Sequence, residues 1–381
     1  MRREPVSGGV RAPDAGPGLR RGLAVAVPAW LLSRALVLVA LGATRYALDR
    51  IGPDPDRSFA SLTAWDAAFY ADIAGGGYDA VPTEGLRFFP LLPLLARLVD
   101  LLLPGGAEAA VVVVANVAAL AFLALLHRLA LRETGSAALA RRAVWLGALA
   151  PAAFVLVMGY SEPLFAALAV ATFLALRSRR FTLAAVPAFL AGLCRPVALL
   201  LSAPAAVEAA RGIRSLPARD LPGRLLAVLA APLGSLAYLL WARDRTGDLF
   251  RPLRFQEASH LRGEAVSPVE GLVEALRDAL DAHRVGPALH VAWALVAVAL
   301  LVVAFRRLPA SYGLFATASI LVALSSRNLD SFERYALGAF PLVIAAASLT
   351  GRDDVERGVL VLLGGGMTGY AMLAFFGVYV P

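Results

Sequence analysis

The chain has 381 residues, of which 59% are hydrophobic and 17% charged, against about 45–50% and about 25% in a soluble domain. With apolar runs long enough to cross a bilayer as helix, this excludes a water-soluble fold and leaves an all-α polytopic membrane protein. All 36 basic residues are arginine and Cys194 is the single cysteine, so lysine adducts, intrachain disulfides and cysteine-based metal sites are ruled out.

In chain order, apolar runs at about 22–42, 110–130, 143–160, 160–176, 182–207, 225–242, 288–305, 308–324, 335–349 and 358–380 predict the membrane elements. Arginines set their orientation, because cytoplasmic loops retain them. Arg2, Arg3, Arg11, Arg20 and Arg21 place a tail of residues 1–21 in the cytoplasm. That tail is too long, polar and rich in Pro and Gly to open a cleaved signal peptide. Arg128, Arg132, Arg141 and Arg142 place the segment after 110–130 on the same side. The run at 88–104, broken by Pro90, Pro93, Arg97 and Asp100, is therefore expected on the outer face as an amphipathic helix. Run 182–207 has Arg177, Arg179 and Arg180 before it and Arg211, Arg214, Arg219 and Arg224 after it, which predicts a re-entrant hairpin with Arg195 near its tip. The expected architecture is a single domain over 22–381 with about nine transmembrane helices, the hairpin, juxtamembrane helices on the outer face, and outer loops at about 43–109 and 243–287. Cytoplasmic segments then hold 20 arginines against 8 acids, and outer segments 14 against 20. The net charge of +8 is thus topological, and no nucleic-acid partner is expected.

The residues that invite chemistry gather on the outer side. Residues 65–74 scan as a short helix with Trp65, Phe69 and Ile73 on an apolar stripe. Asp66 and Tyr70 lie one turn apart on a neighbouring face. A carboxylate held there can act on the headgroup of a lipid-linked substrate; the plainer alternative is an interfacial anchor whose Asp caps its helix. An outer-loop Asp of this kind is not expected in a core ion pair. Arg87 opens the amphipathic segment. In the tight Tyr160-Ser161-Glu162 turn, Glu162 can pair with an arginine, cap the next helix or bind sugar hydroxyls. Arg34 and Arg195 lie inside the membrane, where ionisable residues mark function by default. Arg195 either touches substrate or pairs with Glu162, whereas Arg34, with no acid opposite, is a candidate to hold the bundle together. Gln256 is offered by the long second loop. Arg334 and Tyr335 open a span at the outer interface, where Arg334 can grip phosphate or snorkel. His127, His260, His283 and His290 lack metal-ligand spacing, and Asp353-Asp354 reads as solvated cytoplasmic charge, so no metal site is expected. Gly364-Gly365-Gly366 within the last run reads as close helix packing.

Several of these segments together resemble the PIG-V-like mannosyltransferases, a branch of the GT-C membrane glycosyltransferases. Trp65-Asp66, the aromatic Phe69, Ile73-Ala74 and Gly77-Tyr78 look like that family's first-loop signature. Arg87-Phe88-Phe89-Pro90-Leu91-Leu92-Pro93-Leu94 resembles its Phe-Phe-Pro element, and Tyr160-Ser161-Glu162-Pro163-Leu164-Phe165 its Tyr-Ser-Glu turn. Arg195, Gly247-Asp248 with Phe255-Gln256, and Arg334-Tyr335 with Phe340-Pro341 follow in family order, covering about 65–341. The chain departs from the pattern at Ala68-Phe69, Pro163, Leu249-Phe250 and His260.

The resemblance implies a GT-C-like bundle that takes a sugar, mannose above all, from a polyprenyl-phosphate donor. The acceptor is a hydroxyl of a glycolipid, glycan or protein on the outer membrane face, and no cofactor is demanded. Asp66 matches the position of the general base, with Asp72 and Asp79 as alternatives in the same loop. The lipid phosphate calls for arginines, which grip its oxygens with several donors at once: Arg334, Arg195, Arg87 and Arg34 are the candidates. Tyr335, Glu162, Tyr160, Gln256, Trp65 and Tyr70 complete the expected substrate-binding set. The arginine-only, alanine-rich composition points to the cytoplasmic (plasma) membrane of a bacterium. The rival readings are a transporter or lipid-carrier flippase, which would place polar residues at the midplane of several spans, and a non-catalytic membrane scaffold.

Overall fold

The computed structural model describes residues 15–51, 57–213, 217–258, 261–281 and 285–379. Most of the N-terminal segment 1–21, together with Arg214, His260 and His283, lies outside the described residues. Every described element is helical, as hydrocarbon surroundings demand of a backbone that must satisfy its own polar groups.

In chain order the helices are α1 (Ala15–Ile51), α2 (Asp66–Gly76), α3 (Leu91–Asp100), α4 (Gly106–Thr134), α5 (Ala137–Leu149), α6 (Glu162–Arg177), α7 (Phe181–Cys194) and α8 (Ser202–Ala210). They continue with α9 (Leu221–Thr246), α10 (Arg251–Arg254), α11 (Pro268–Asp281), α12 (Val285–Arg307), α13 (Ala310–Leu324), α14 (Phe332–Gly338), α15 (Pro341–Leu349) and α16 (Asp353–Phe375). Five of them, α1, α4, α9, α12 and α16, contain stretches long and apolar enough to cross a membrane. A sixth candidate is the pair α14 and α15, bent by 85° at Ala339-Phe340. The other apolar helices are shorter. The run at 88–104 is helical only as α3, whose Leu94 and Leu98 are exposed, as is Leu101 just beyond it.

The short helices come from local breaks whose loose backbone groups find partners. Ser136 caps α5, its hydroxyl accepting from the Leu139 amide at 3.2 Å. Pro151 stops α5, and a buried 3-10 stretch, Pro151–Leu156, carries the chain to Tyr160. The carbonyls freed there are taken up from neighbouring helices: Arg34 donates to Leu156 O at 2.6 Å and Asn116 to Val157 O at 2.9 Å. Arg34 is thereby accounted for. Its Nε also donates to Asn116 Oδ1 at 2.8 Å, and the residue ties α1 to α4 and to the broken segment without any acid.

The stretch 181–210 runs out and back. Arg177, at the end of α6, contacts Glu208 of α8 at 3.1 Å and Glu133 of α4 at 2.9 Å, while Ser311 of α13 donates to Glu208 at 2.6 Å. At the opposite end of α6, Glu162 meets Arg195, where Arg195-Pro196 turns the chain back. α7 packs on α9 backbone to backbone. A Cβ at Gly192 would strike Ala231 O, and one at Gly234 would strike Phe189 O, so only glycine permits this approach. In α16, a Cβ at Gly364 would meet Leu36 of α1 at 3.5 Å and one at Gly366 would meet Pro151 at 3.0 Å, whereas one at Gly365 would meet nothing within 4 Å.

One end of the bundle gathers the pieces that matter below. Arg142 donates to Thr350 O at 3.0 Å and Arg141 contacts Glu356 at 2.8 Å, so α15 ends and α16 begins beside the start of α5. α16 then climbs until Ala374 O accepts from Trp65 at 3.1 Å. The α2 region, the Tyr160 turn, Arg195 and the start of α14 all meet at that far end.

Candidate active site

Asp66 is the first residue of α2. The residue before it, Trp65, has φ 60° and ψ −132°, a region that suits glycine. Trp65 is held there by its indole bond to Ala374 O and by stacking on Phe59 at 4.3 Å between centroids. α14 is entered in a similar way, through Ser331 at φ 68°. Strained entries of this kind persist only where their surroundings fix them, and these two aim Asp66 and Arg334 at one another.

The two side chains meet at 2.6 Å, Arg334 donating to Asp66 Oδ2. Arg334 Nε also lies 3.0 Å from Glu162 Oε1. Glu162 pairs in addition with Arg195, which donates to Ser161 Oγ at 3.0 Å. Tyr70, one turn along α2 from Asp66, donates to the same Ser161 hydroxyl at 2.8 Å. Arg87 approaches Asp66 Oδ1 at 3.8 Å and Glu84 at 3.5 Å. Burial works against the charge on Asp66, but the Arg334 guanidinium, and after it Arg87, outweigh burial and hold its carboxyl below the usual range. The expectation that an outer-loop Asp stays out of a core ion pair is thus corrected: Asp66 is 21% exposed and joined to Arg334, itself 9% exposed.

These residues wall a cavity of about 320 Å³, within the range of small-ligand pockets. Asp66, Tyr70, Arg87, Arg195, Gln256, Arg334 and Tyr335 all line it, and Phe88, Phe89 and the backbone turn at Pro196 close its sides. Trp65, Tyr160 and Glu162 do not line it. Glu162 is 7% exposed and sits behind the arginines as their counter-ion, and Tyr160 lies under Arg334, whose guanidinium carbon is 5.3 Å from the ring centre. Arg34 is elsewhere in the bundle. Asp72 points away from the cavity and is exposed, and Asp79 pairs with Arg245 outside it. Among the described residues no cluster of three or more His, Cys, Asp or Glu side chains is placed to hold a metal ion.

One lining residue escaped the sequence: Arg262. It comes from the long loop after α10, and its guanidinium lies 4.7 Å from the Tyr335 ring centre. Nothing local marks it among the 36 arginines; its place depends on how the loop folds back over α13. The lining as a whole is one carboxylate among four arginines. It can take a proton and hold an anion within the same small volume.

Residues 46–212 match the family described as mannosyltransferase (PIG-V). The matched stretch contains Asp66, Arg87, Tyr160, Glu162 and Arg195, and ends before Gln256, Arg262, Arg334 and Tyr335. It supports a PIG-V-like mannosyltransferase, and that family implies a glycosyltransferase acting on mannose. No curated protein matches the chain.

Proposed function

We propose that the protein transfers mannose from a polyprenyl-phosphate mannose to an acceptor hydroxyl on the outer face of a bacterial plasma membrane. The observation that carries this reading is the cavity itself, with Asp66 alone among Arg87, Arg195, Arg262 and Arg334. The acceptor oxygen attacks the anomeric carbon and its proton passes to Asp66. The bond from that carbon to the phosphate oxygen breaks, and its electron pair leaves with the lipid phosphate. Arginines facing the cavity stabilise the charge that grows on the leaving phosphate. A carboxylate of low basicity suffices when the proton moves late, after the new C–O bond has made the hydroxyl acidic.

The proposed orientation has the N-terminus in the cytoplasm. The short helices α5, α6 and α13 and the bent α14 and α15 complete about nine crossings, and 181–210 serves as a re-entrant hairpin. The cavity is then at the outer face. All its lining comes from that end, whereas a transporter or flippase would extend its cavity towards Arg177 and Glu208. In a Cys194→Ala background, Asp79→Cys should react with an impermeant thiol reagent added outside intact cells and Ser178→Cys should not; reaction of both would overturn this orientation.

The activity test is an assay of membranes carrying the protein, with labelled polyprenyl-phosphate mannose and a mixed extract of glycolipid, glycan and protein acceptors. Label should move to acceptor in proportion to the amount of protein. Transfer no greater than in membranes lacking the protein would remove the enzyme reading in favour of a scaffold.

A further inference from the structure

The four arginines of the cavity are not equally free. Arg334 is matched by two acids, Asp66 through a hydrogen bond at 2.6 Å and Glu162 at 3.0 Å from an Nε that is buried without a hydrogen bond, and it also donates to Ser331 Oγ at 3.3 Å. Arg195 shares one nitrogen between Glu162 and Ser161. Among the described residues Arg262 forms no ion pair. One of its nitrogens donates to the carbonyls of Val322 at 2.8 Å and Ala323 at 3.1 Å, and its Nε is buried without a hydrogen bond to any described residue. Arg87 has only distant acids, and its Nε likewise is buried without a hydrogen bond. A buried donor left unmade is costly, and at the wall of a cavity a bound anion can supply the missing acceptor; Arg142 and Arg224 also bury such an Nε but line no part of this cavity.

Arg87 and Arg262 are also mechanically joined. The Thr83–Arg87 turn packs on the Phe255–Glu257 turn. The Arg262 amide donates back to Gln256 O at 3.2 Å. Asn328 clamps the loop from beneath, its side chain donating to Leu261 O at 2.9 Å and its amide to Arg262 O at 3.0 Å. The Tyr335 ring supports Arg262 from one side, 4.7 Å from its guanidinium carbon.

We propose that Arg262, acting with Arg87, is the grip on the lipid phosphate, and that Arg334 instead positions Asp66. This rests on the reading of the cavity as the donor site. It divides the arginines by role: Arg262 and Arg87 meet phosphate oxygens with multi-donor geometry, Arg334 orients the carboxylate, and Arg195 with Glu162 holds the tip of 181–210 against α6.

The test is direct binding of farnesyl phosphate, a short prenyl phosphate, to the detergent-purified full chain by titration calorimetry. Arg262→Gln should weaken binding by about ten- to a hundredfold, the loss of one charge-assisted contact. Arg262→Lys, which keeps the charge without the fork, should fall between that variant and wild type. Asn328→Ala controls for loop anchoring: it loosens the same loop but leaves the guanidinium, and should bind within twofold of wild type. Equal weakening by Asn328→Ala and Arg262→Gln would make Arg262 a loop anchor only and overturn the proposal. So would wild-type affinity in Arg262→Gln, or a wild-type protein that binds no farnesyl phosphate. Binding needs no turnover, so this outcome is separate from the transfer assay: prenyl phosphate bound through Arg262 without mannose transfer would sink the enzyme reading and leave the grip standing.

Discussion

Replacing Asp66 by asparagine should lower mannose transfer by about 10²–10⁴-fold, the contribution of a positioned general base. The amide has the shape of the carboxylate and can still accept a hydrogen bond from Arg334, but it cannot take the acceptor's proton. Donor affinity should hardly change, because the phosphate is assigned to Arg262 and Arg87. Asp72→Asn is the matched control: it lies on the same short helix α2, exposed and directed away from the cavity, and should transfer at the wild-type rate. Because Asp66 is joined to a buried arginine, the variant also loses an ion pair. Its melting temperature must therefore be measured beside its rate. A drop in rate with folded protein and unchanged farnesyl phosphate binding supports the base. Wild-type transfer by Asp66→Asn removes the proposed mechanism, and equal loss in Asp66→Asn and Asp72→Asn assigns α2 a structural task.

The relation between Asp66 and Tyr70 was legible because a helix repeats every turn: two polar residues four apart share a face wherever the helix is put, and both reach the cavity. The long apolar helices were legible for the same kind of reason, since α1, α4, α9, α12 and α16 each hold their signal within one continuous run. The breaks were harder. Pro151 ends α5, yet the residues that make the following 3-10 stretch tolerable, Arg34 and Asn116, are distant in sequence. Glu162 shows the limit at the site. Sequence left it as arginine partner, cap or sugar ligand, and only its meeting with both Arg195 and Arg334 in space makes it a counter-ion behind the cavity. Arg262 is the extreme case, since its position is set by carbonyls of Val322 and Ala323 about sixty residues away. The left-handed backbone at Trp65 and Ser331 was equally hidden, because neither is a residue type that advertises positive φ.

Arg334→Gln should destabilise the protein by about 3–5 kcal/mol, the usual consequence of removing one partner from a buried ion cluster. Two carboxylates, Asp66 and Glu162, then face each other's surroundings without their shared cation, and α14 loses its tether to α2 and α6. The pH dependence gives the sharper reading. In the wild type the Asp66 carboxyl is held below its ordinary value. Its contribution to stability is therefore present above about pH 3.9, the unfolded reference, and is lost as pH falls through the lower folded value. Without Arg334, burial becomes the dominant influence and pushes the carboxyl upward. The sign then reverses: the variant should be weakest at neutral pH and recover part of its stability on acidification, when Asp66 binds a proton. The acid limb of its transfer rate should move to higher pH, whereas in Arg262→Gln that limb should stay in place and only the donor KM should rise. Adding Glu162→Gln to Arg334→Gln should not raise the melting temperature, because Glu162 is still paired with Arg195 and its removal would leave that arginine without an acid. Melting temperatures between pH 4 and 8 and pH–rate profiles of the three variants decide the matter. An Arg334→Gln protein with wild-type melting temperature and an unmoved acid limb would show that Asp66 is held by something other than Arg334, and the division of roles among the cavity arginines would have to be redrawn.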